Sequence, residues 1–102
     1  MIVRLSRGQF DAAQHDEIDR MLRESAVSLV PAIRKLPGGL HDYAGIDRGS
    51  ATMVNVSVRD PLEHAQHMGT LAEMRAQGER FRARGVRFET IVNYETVWDI
   101  AG

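Results

Sequence analysis

His41, Asp42 and Tyr43 stand together, and His64 and His67 follow further along; these residues have the most chemistry to offer in this sequence. On an extended segment, alternation sends His41 and Tyr43 to one face and Asp42 to the other. A histidine titrating near neutrality can take a phenolic proton and a tyrosine hydroxyl can hold a substrate oxygen, the minimum for deprotonating a phenol before it meets dioxygen. The competing reading places both at a sheet margin with their polar tips in water. His64 and His67 are three apart, near enough on one helix face to share a metal. No acidic residue completes a known ligand spacing, so no metal is expected. His64 then belongs either to a solvated helix face or, with His41 and Tyr43, to the catalytic set.

Asn55 and Asn93 are amides within apolar runs, and burying an amide without partners costs about 1–3 kcal/mol. A barrel interior or trapped water would satisfy them, and Asn55 is also a candidate substrate contact. Met53 and Met68, with Met21 and Met74, could furnish adaptable apolar walls for a ligand of small hydrophobic or aromatic type, or could fill the same space as core.

The elements that must position these groups are marked by punctuation. The 102 residues suit a single domain, residues 1–102. With 43% hydrophobic residues, 26% charged residues and a formal net charge of −1, the chain offers no electrostatic pull on nucleic acid or an anionic membrane. It has no cysteine, so thiolate chemistry and disulfides are excluded. Charges interrupt the apolar N-terminal stretch Met1 to Arg7 and no run approaches a membrane span, so a cytoplasmic protein is expected.

Val3 and Leu5 alternate with Ile2, Arg4 and Ser6 in a first strand, which Gly8 is expected to end. From Asp11, the residues Ile18, Met21, Leu22, Ser25, Ala26, Leu29, Ile33 and Leu36 recur at steps of three and four and predict a long helix, kinked or broken at Pro31 and stopped before Pro37-Gly38-Gly39. Leu40–Asp47 and Ala51–Arg59 read as strands joined at Arg48-Gly49-Ser50, where Gly49 can supply a positive φ. In the second of them Val54, Val56 and Val58 share a face, which is expected to meet the long helix. Asp60, Pro61 and Glu63 predict a capped helix ending at Gly69, and Thr70 with Glu73 repeats the device. Leu71, Met74, Gly78 and Phe81 line one side of the next helix, and Gly85 stops it.

Val86 to Ile100 is then strand, with Phe88, Val92, Tyr94 and Trp98 on one face and Ile91 and Val97 on the other. A single sheet with helices on one side should leave its second face polar, so this second face wants a partner. A homodimer through the sheet face and the C-terminal strand, with Trp98 at the interface, would cover it. Arg75, Arg80, Arg82, Arg84 and Arg87 interleave with Glu73, Glu79 and Glu89 and read as a solvated face.

The segment from Leu29 to Leu40, and the Val54-to-Asp60 strand running into Leu62-Glu63-His64, resemble the dimeric α+β barrel superfamily, within it the antibiotic-biosynthesis-monooxygenase-like branch. The resemblance covers nearly the whole chain. It implies a ferredoxin-like β-α-β-β-α-α-β subunit, an antiparallel sheet with helices on one face, and sheets paired as a dimeric barrel. Haem-degrading members use an asparagine on the first strand, a tryptophan near the end of the third and a histidine on the following helix. Here the first strand has Arg4, Ser6 and Arg7, the third ends Ser57-Val58-Arg59, and only His64 or His67 matches, so haem degradation is not expected. The resemblance implies instead a cofactor-independent monooxygenase acting on a phenolic or quinol substrate between sheet and helices. The alternative is a noncatalytic dimeric barrel that binds a small hydrophobic ligand or serves as an interaction module. The discriminating feature is a solvent-connected pocket with a titratable side chain.

Overall fold

The structure is a computed structural model that describes residues 1–60 and 62–100, and the side chains of Glu63, Ala65 and Gly69 are outside that description. Strand β1 spans Ile2–Gln9 and helix α1 spans His15–Arg34, entered through a 3₁₀ turn at Ala12–Gln14. Strands β2 (Gly39–Asp47) and β3 (Thr52–Arg59) form a hairpin. Helices α2 (Leu62–Thr70) and α3 (Ala72–Ala83) precede two short strands, β4 (Arg87–Phe88) and β5 (Val92–Glu95). The sheet is antiparallel in the order β2-β3-β1-β4, and β5 also pairs with β1. This is the expected ferredoxin-like α+β fold. No helix among the described residues is long and apolar enough to cross a membrane.

Asp11 starts the first helical turn by accepting a 3.0 Å hydrogen bond from the Ala13 amide, which satisfies an otherwise orphan donor. Ile18, Met21 and Ile33 fall on the buried side of α1. The core joins Phe10, Ile18, Met21, Met53, Phe81 and Val86, gathering one end of α1 with α3 and the end of β3 that begins it. Each such fully buried side chain contributes about 1.5–3 kcal/mol. Gly85, at φ +93°, ends α3 as expected.

Several expectations are corrected. Of the two expectations at Pro31, a kink or a break, the break is the one overturned: Pro31 lies inside a continuous α1. The carbonyl that loses its donor belongs to Val27, which is exposed, so water can serve it. In the β2–β3 turn the left-handed residue is Ala51, at φ 53°, rather than Gly49. The Asp47 carboxylate accepts from the amide and hydroxyl of Ser50, which closes the turn and shifts the reversal onto Ala51. Leu71 rather than Thr70 precedes α3, because the Thr70 hydroxyl donates backward to the His67 carbonyl. The expected capping box at the start of α2 turns on Pro61 and the Glu63 side chain, which lie outside the described residues. Gly8 does not end β1; a Cβ there would press on Val86 and Phe88, so it serves close packing.

The final strand is also two strands. Phe88 lies opposite Gly8 and Val92 opposite Leu5, so four steps along this strand match three along β1. That is a one-residue bulge, and the Glu89 amide still donates to Arg7 inside it. The extra residue reverses the faces: Phe88 points with Gly8 toward the helices, while Val92 and Tyr94 share the opposite face with Leu5 and Val3. Residues 96–100 form no strand in the described chain.

The largest correction concerns β3. The valines do not meet α1. Met53, Asn55, Ser57 and Arg59 do face the helical layer, in register with Gly8, Ser6, Arg4 and Ile2 of β1. Val54, Val56 and Val58 point the other way, beside Leu5, Val3 and the β2 residues His41 and Tyr43. Helix packing selected the face with Met53 and Ile2, which also carries polar side chains able to satisfy one another.

Candidate functional site

Between the helical layer and the sheet lies a polar row supplied by three adjacent strands: Arg4 from β1, Asn55, Ser57 and Arg59 from β3, and Asp42 from β2. Arg59 is 2% exposed, an extreme burial for a guanidinium. Its Nε donates to Ser57 Oγ at 2.8 Å, and its Nη2 lies 3.4 Å from Asp42 Oδ2 and 3.5 Å from Met68 Sδ. Asn55 Nδ2 donates to Asp42 Oδ1 at 2.9 Å. The Asp42 carboxylate is thus held by an amide on one oxygen and a guanidinium on the other.

The Pro37-Gly38-Gly39 turn makes room for this row. A Cβ on Gly39 would strike the Arg59 guanidinium, and one on Gly38, at φ +72°, would strike the His64 ring and the Asp60 carbonyl. The segment is therefore required twice over, by backbone conformation and by close approach.

Two polar atoms of the row are buried and have no hydrogen-bond partner among the described residues, Arg4 Nη1 and Asn55 Oδ1. Arg4 is 3% exposed. Burial holds the Asp42 carboxyl above the ordinary carboxylate range, against the opposing pull of Asn55, Arg59, Ser57 and Arg4. Burial likewise draws the Arg4 guanidinium down, with Asp42 opposing that shift and Arg59 adding to it.

Two cavities adjoin the row and share Leu22, Ser25, Leu29, Ala44 and Asn55 in their walls. The first, about 710 Å³, adds Arg4, Ser6, Met53, Met74, Phe81 and Phe88. The second, about 660 Å³, lies toward β2 and the end of α1 and adds Asp42, Arg59 and Ile33. Both are of a size that small-molecule sites use, with apolar walls and a few convergent polar groups. Chemically, the row offers a proton acceptor in Asp42, a neutral donor and acceptor in Asn55, and fixed positive charge in Arg4 and Arg59.

The residues singled out from sequence are dispersed around this site. Asn55 is at its centre, on the helix side rather than in a barrel interior. Met53 is in the core and walls the first cavity. Met68 is fully buried against Arg59 and lines neither cavity. His41 and Tyr43 form an edge-to-face pair, centroids 5.2 Å apart, on the far face of the sheet, and border the second cavity at its β2 edge. His64 donates from Nδ1 to the Asp60 carbonyl at 2.8 Å and lines neither cavity, so the structure does not bring it together with His41 and Tyr43. Its ring lies 5.8 Å from that of His67, and among the described residues no group of three or more histidine or acidic side chains could hold a metal. Asn93 is exposed on β5, opposite Arg4. Trp98 is 77% exposed.

Sequence reasoning missed Arg4, Asp42, Ser57 and Arg59 as a unit. A signal was present in the polar alternation Arg4/Ser6 and Asn55/Ser57/Arg59 on strands otherwise rich in β-branched residues, but its meaning depended on which face the helices cover.

No protein-family model matches the sequence, and no curated protein is significantly similar to it. Solved structures are similar in fold. A protein of Deinococcus radiodurans assigned to the antibiotic biosynthesis monooxygenases superposes with a TM-score of 0.75 at 16% identity, covering 99% of this chain and 97% of that one. SnoaB, a cofactor-independent oxygenase from Streptomyces nogalater, gives 0.68 at 12% identity over 99% and 97% of the two chains. MhuD, solved with two manganese protoporphyrin IX molecules per active site, gives 0.69 at 20% identity over the whole of both chains. The chain has the fold of the antibiotic-biosynthesis-monooxygenase-like α+β barrel proteins. At these identities the likeness is one of fold, and activity has to be argued from the site.

Proposed function

We propose that this protein is a monooxygenase-like enzyme that uses dioxygen to oxidise a small phenolic or quinol substrate held between the sheet and the helices. The observation that carries this reading is the part-buried Asp42–Asn55–Arg59 network beside two adjoining cavities. Asp42, its proton affinity raised by burial, accepts the phenolic proton. The nearby guanidinium groups stabilise the phenolate, whose electron density at the ring carbon para to oxygen becomes nucleophilic. That carbon bonds to dioxygen, and the resulting peroxide takes up the proton held by Asp42. Loss of the ring hydrogen as a proton drives cleavage of the O–O bond, and the departing hydroxide leaves with that proton as water. One oxygen atom stays on the ring, so a phenol and one dioxygen give a quinone and one water.

His41 and Tyr43 belong to this reading as the solvent-side rim of the second cavity. Asn55 and Met53 contact substrate; Met68 supports Arg59 from behind. The residues do not fit a haem, because His64 and His67, the helix histidines that would face its iron, line neither cavity.

The working unit in this reading is a homodimer. Val3, Leu5, Val54, Val56, Val58, Val92 and Tyr94 make the outer sheet face apolar, and a second copy covers it, with Trp98 packed at the rim.

Oxygen uptake with a panel of phenols and quinols tests the reaction. Turnover of at least one class is expected, falling by about 10²–10⁴-fold in Asp42→Asn. No uptake with any member, or unchanged uptake in Asp42→Asn, overturns the assignment.

A further inference from the structure

The two buried guanidinium groups of the site are not equivalent. Arg59 is engaged with Ser57, Asp42 and Met68. Arg4 is as deeply buried, makes no ion pair among the described residues, and leaves Nη1 without an acceptor. Asp42 is the single carboxylate in the row and both of its oxygens are occupied. The row therefore carries an unmatched positive charge in the wall of the larger cavity, where a cation removed from water costs far more than at the surface. Farther along that wall Arg75, Arg82 and Arg87 outnumber Glu79 and Glu89, so the surrounding charge does not cancel the excess. The remaining walls, Leu22, Leu29, Met53, Met74, Phe81 and Phe88, suit a flat hydrocarbon ring.

We infer that the ligand of the first cavity is an aromatic carboxylate, with its ring against these apolar walls and its carboxylate on Arg4. This rests on the reading of the two adjoining cavities as the substrate site and narrows its substrate class: the aromatic ring carries an anionic group besides the oxygen that reacts. A charge-assisted hydrogen bond supplies the acceptor that Arg4 lacks.

Calorimetric titration with 2-naphthoate and its neutral counterpart 2-naphthamide tests this without requiring turnover. The wild-type protein is expected to bind the carboxylate at least about tenfold more tightly, the lower end for a hydrogen bond to a charged group. Arg4→Gln should bring the two probes to parity, Arg4→Lys should retain part of the preference, and Arg48→Gln, in the exposed β2–β3 turn and outside both cavities, should leave it unchanged. Equal wild-type affinities, a preference that survives in Arg4→Gln, or one that disappears in Arg48→Gln overturns the subsite while leaving the cavity as an aromatic site. Binding of neither probe at millimolar concentration overturns the subsite and the substrate-site reading together. If circular dichroism shows that Arg4→Gln is unfolded, the wild-type ratio with Arg4→Lys and Arg48→Gln decides.

Discussion

The two faces of the sheet carry different chemistry: a polar row stands beside the core residues on the helix-covered face, while the other face is largely apolar. Under the helices lie Arg4, Asp42, Asn55, Ser57 and Arg59, whereas the uncovered face carries Val3, Leu5, Val54, Val56, Val58 and Val92. A sheet of this kind ordinarily buries its apolar face and solvates the other. Here the helix-covered face is built for chemistry, since low dielectric strengthens each charge interaction there. The open face is built for packing. A fold with both features calls for a second layer over the valines and a ligand beside the guanidinium groups.

The comparison can be broken from either side. Val56→Asp places a charge in the centre of the apolar face, and burying it unpaired in both copies should raise the dimer dissociation constant by more than about 10³-fold. Sedimentation should show monomer with unchanged circular dichroism; a dimer that persists would reject this face as the interface. Arg59→Ala attacks the polar face and removes the ion-pair partner of Asp42, leaving only Arg4, which makes no ion pair with it, as the facing charge. Asp42 keeps some solvent access, so the expected loss is about 3 kcal/mol in urea denaturation, the lower end for a broken buried pair. No measurable loss would mean that the row does not hold the fold.

Trp98→Ala sharpens the boundary between the two faces. As a rim contact it should weaken the dimer by about tenfold, and an unchanged sedimentation profile at low micromolar concentration would remove it from the interface. The smallest effect is on pH dependence. Because the Asp42 carboxyl titrates above its ordinary 3.8 when folded, the folded state holds that proton more tightly than the unfolded chain does. Its contribution to stability is fully present below that ordinary value and is lost as pH rises through the folded one. The stability of wild type minus that of Asp42→Asn should therefore decline between these limits. A difference that grows with pH would contradict the direction.

Sequence alone determined the order of the elements as far as the last strand. Gly85, the 37–39 turn and the three-and-four spacing in α1 are local signals, and each marks an element of the structure. The resemblance to the barrel family followed from the same pattern and matches the fold found. The placement of the faces was not local. Val54, Val56 and Val58 alternate with Met53, Asn55 and Ser57 whichever side the helices take, and a β-strand has no property of its own that chooses between them. A single inserted residue between Phe88 and Val92 reversed the second half of the last strand, something only its register against β1 reveals. For the same reason the candidate site was half legible: Asn55 stood out as an amide among valines, while Arg4, Asp42 and Arg59 looked like ordinary strand charges until three strands were laid side by side. Their chemistry arises from proximity across sequence separations of 17 to 55 residues, and only tertiary structure supplies that.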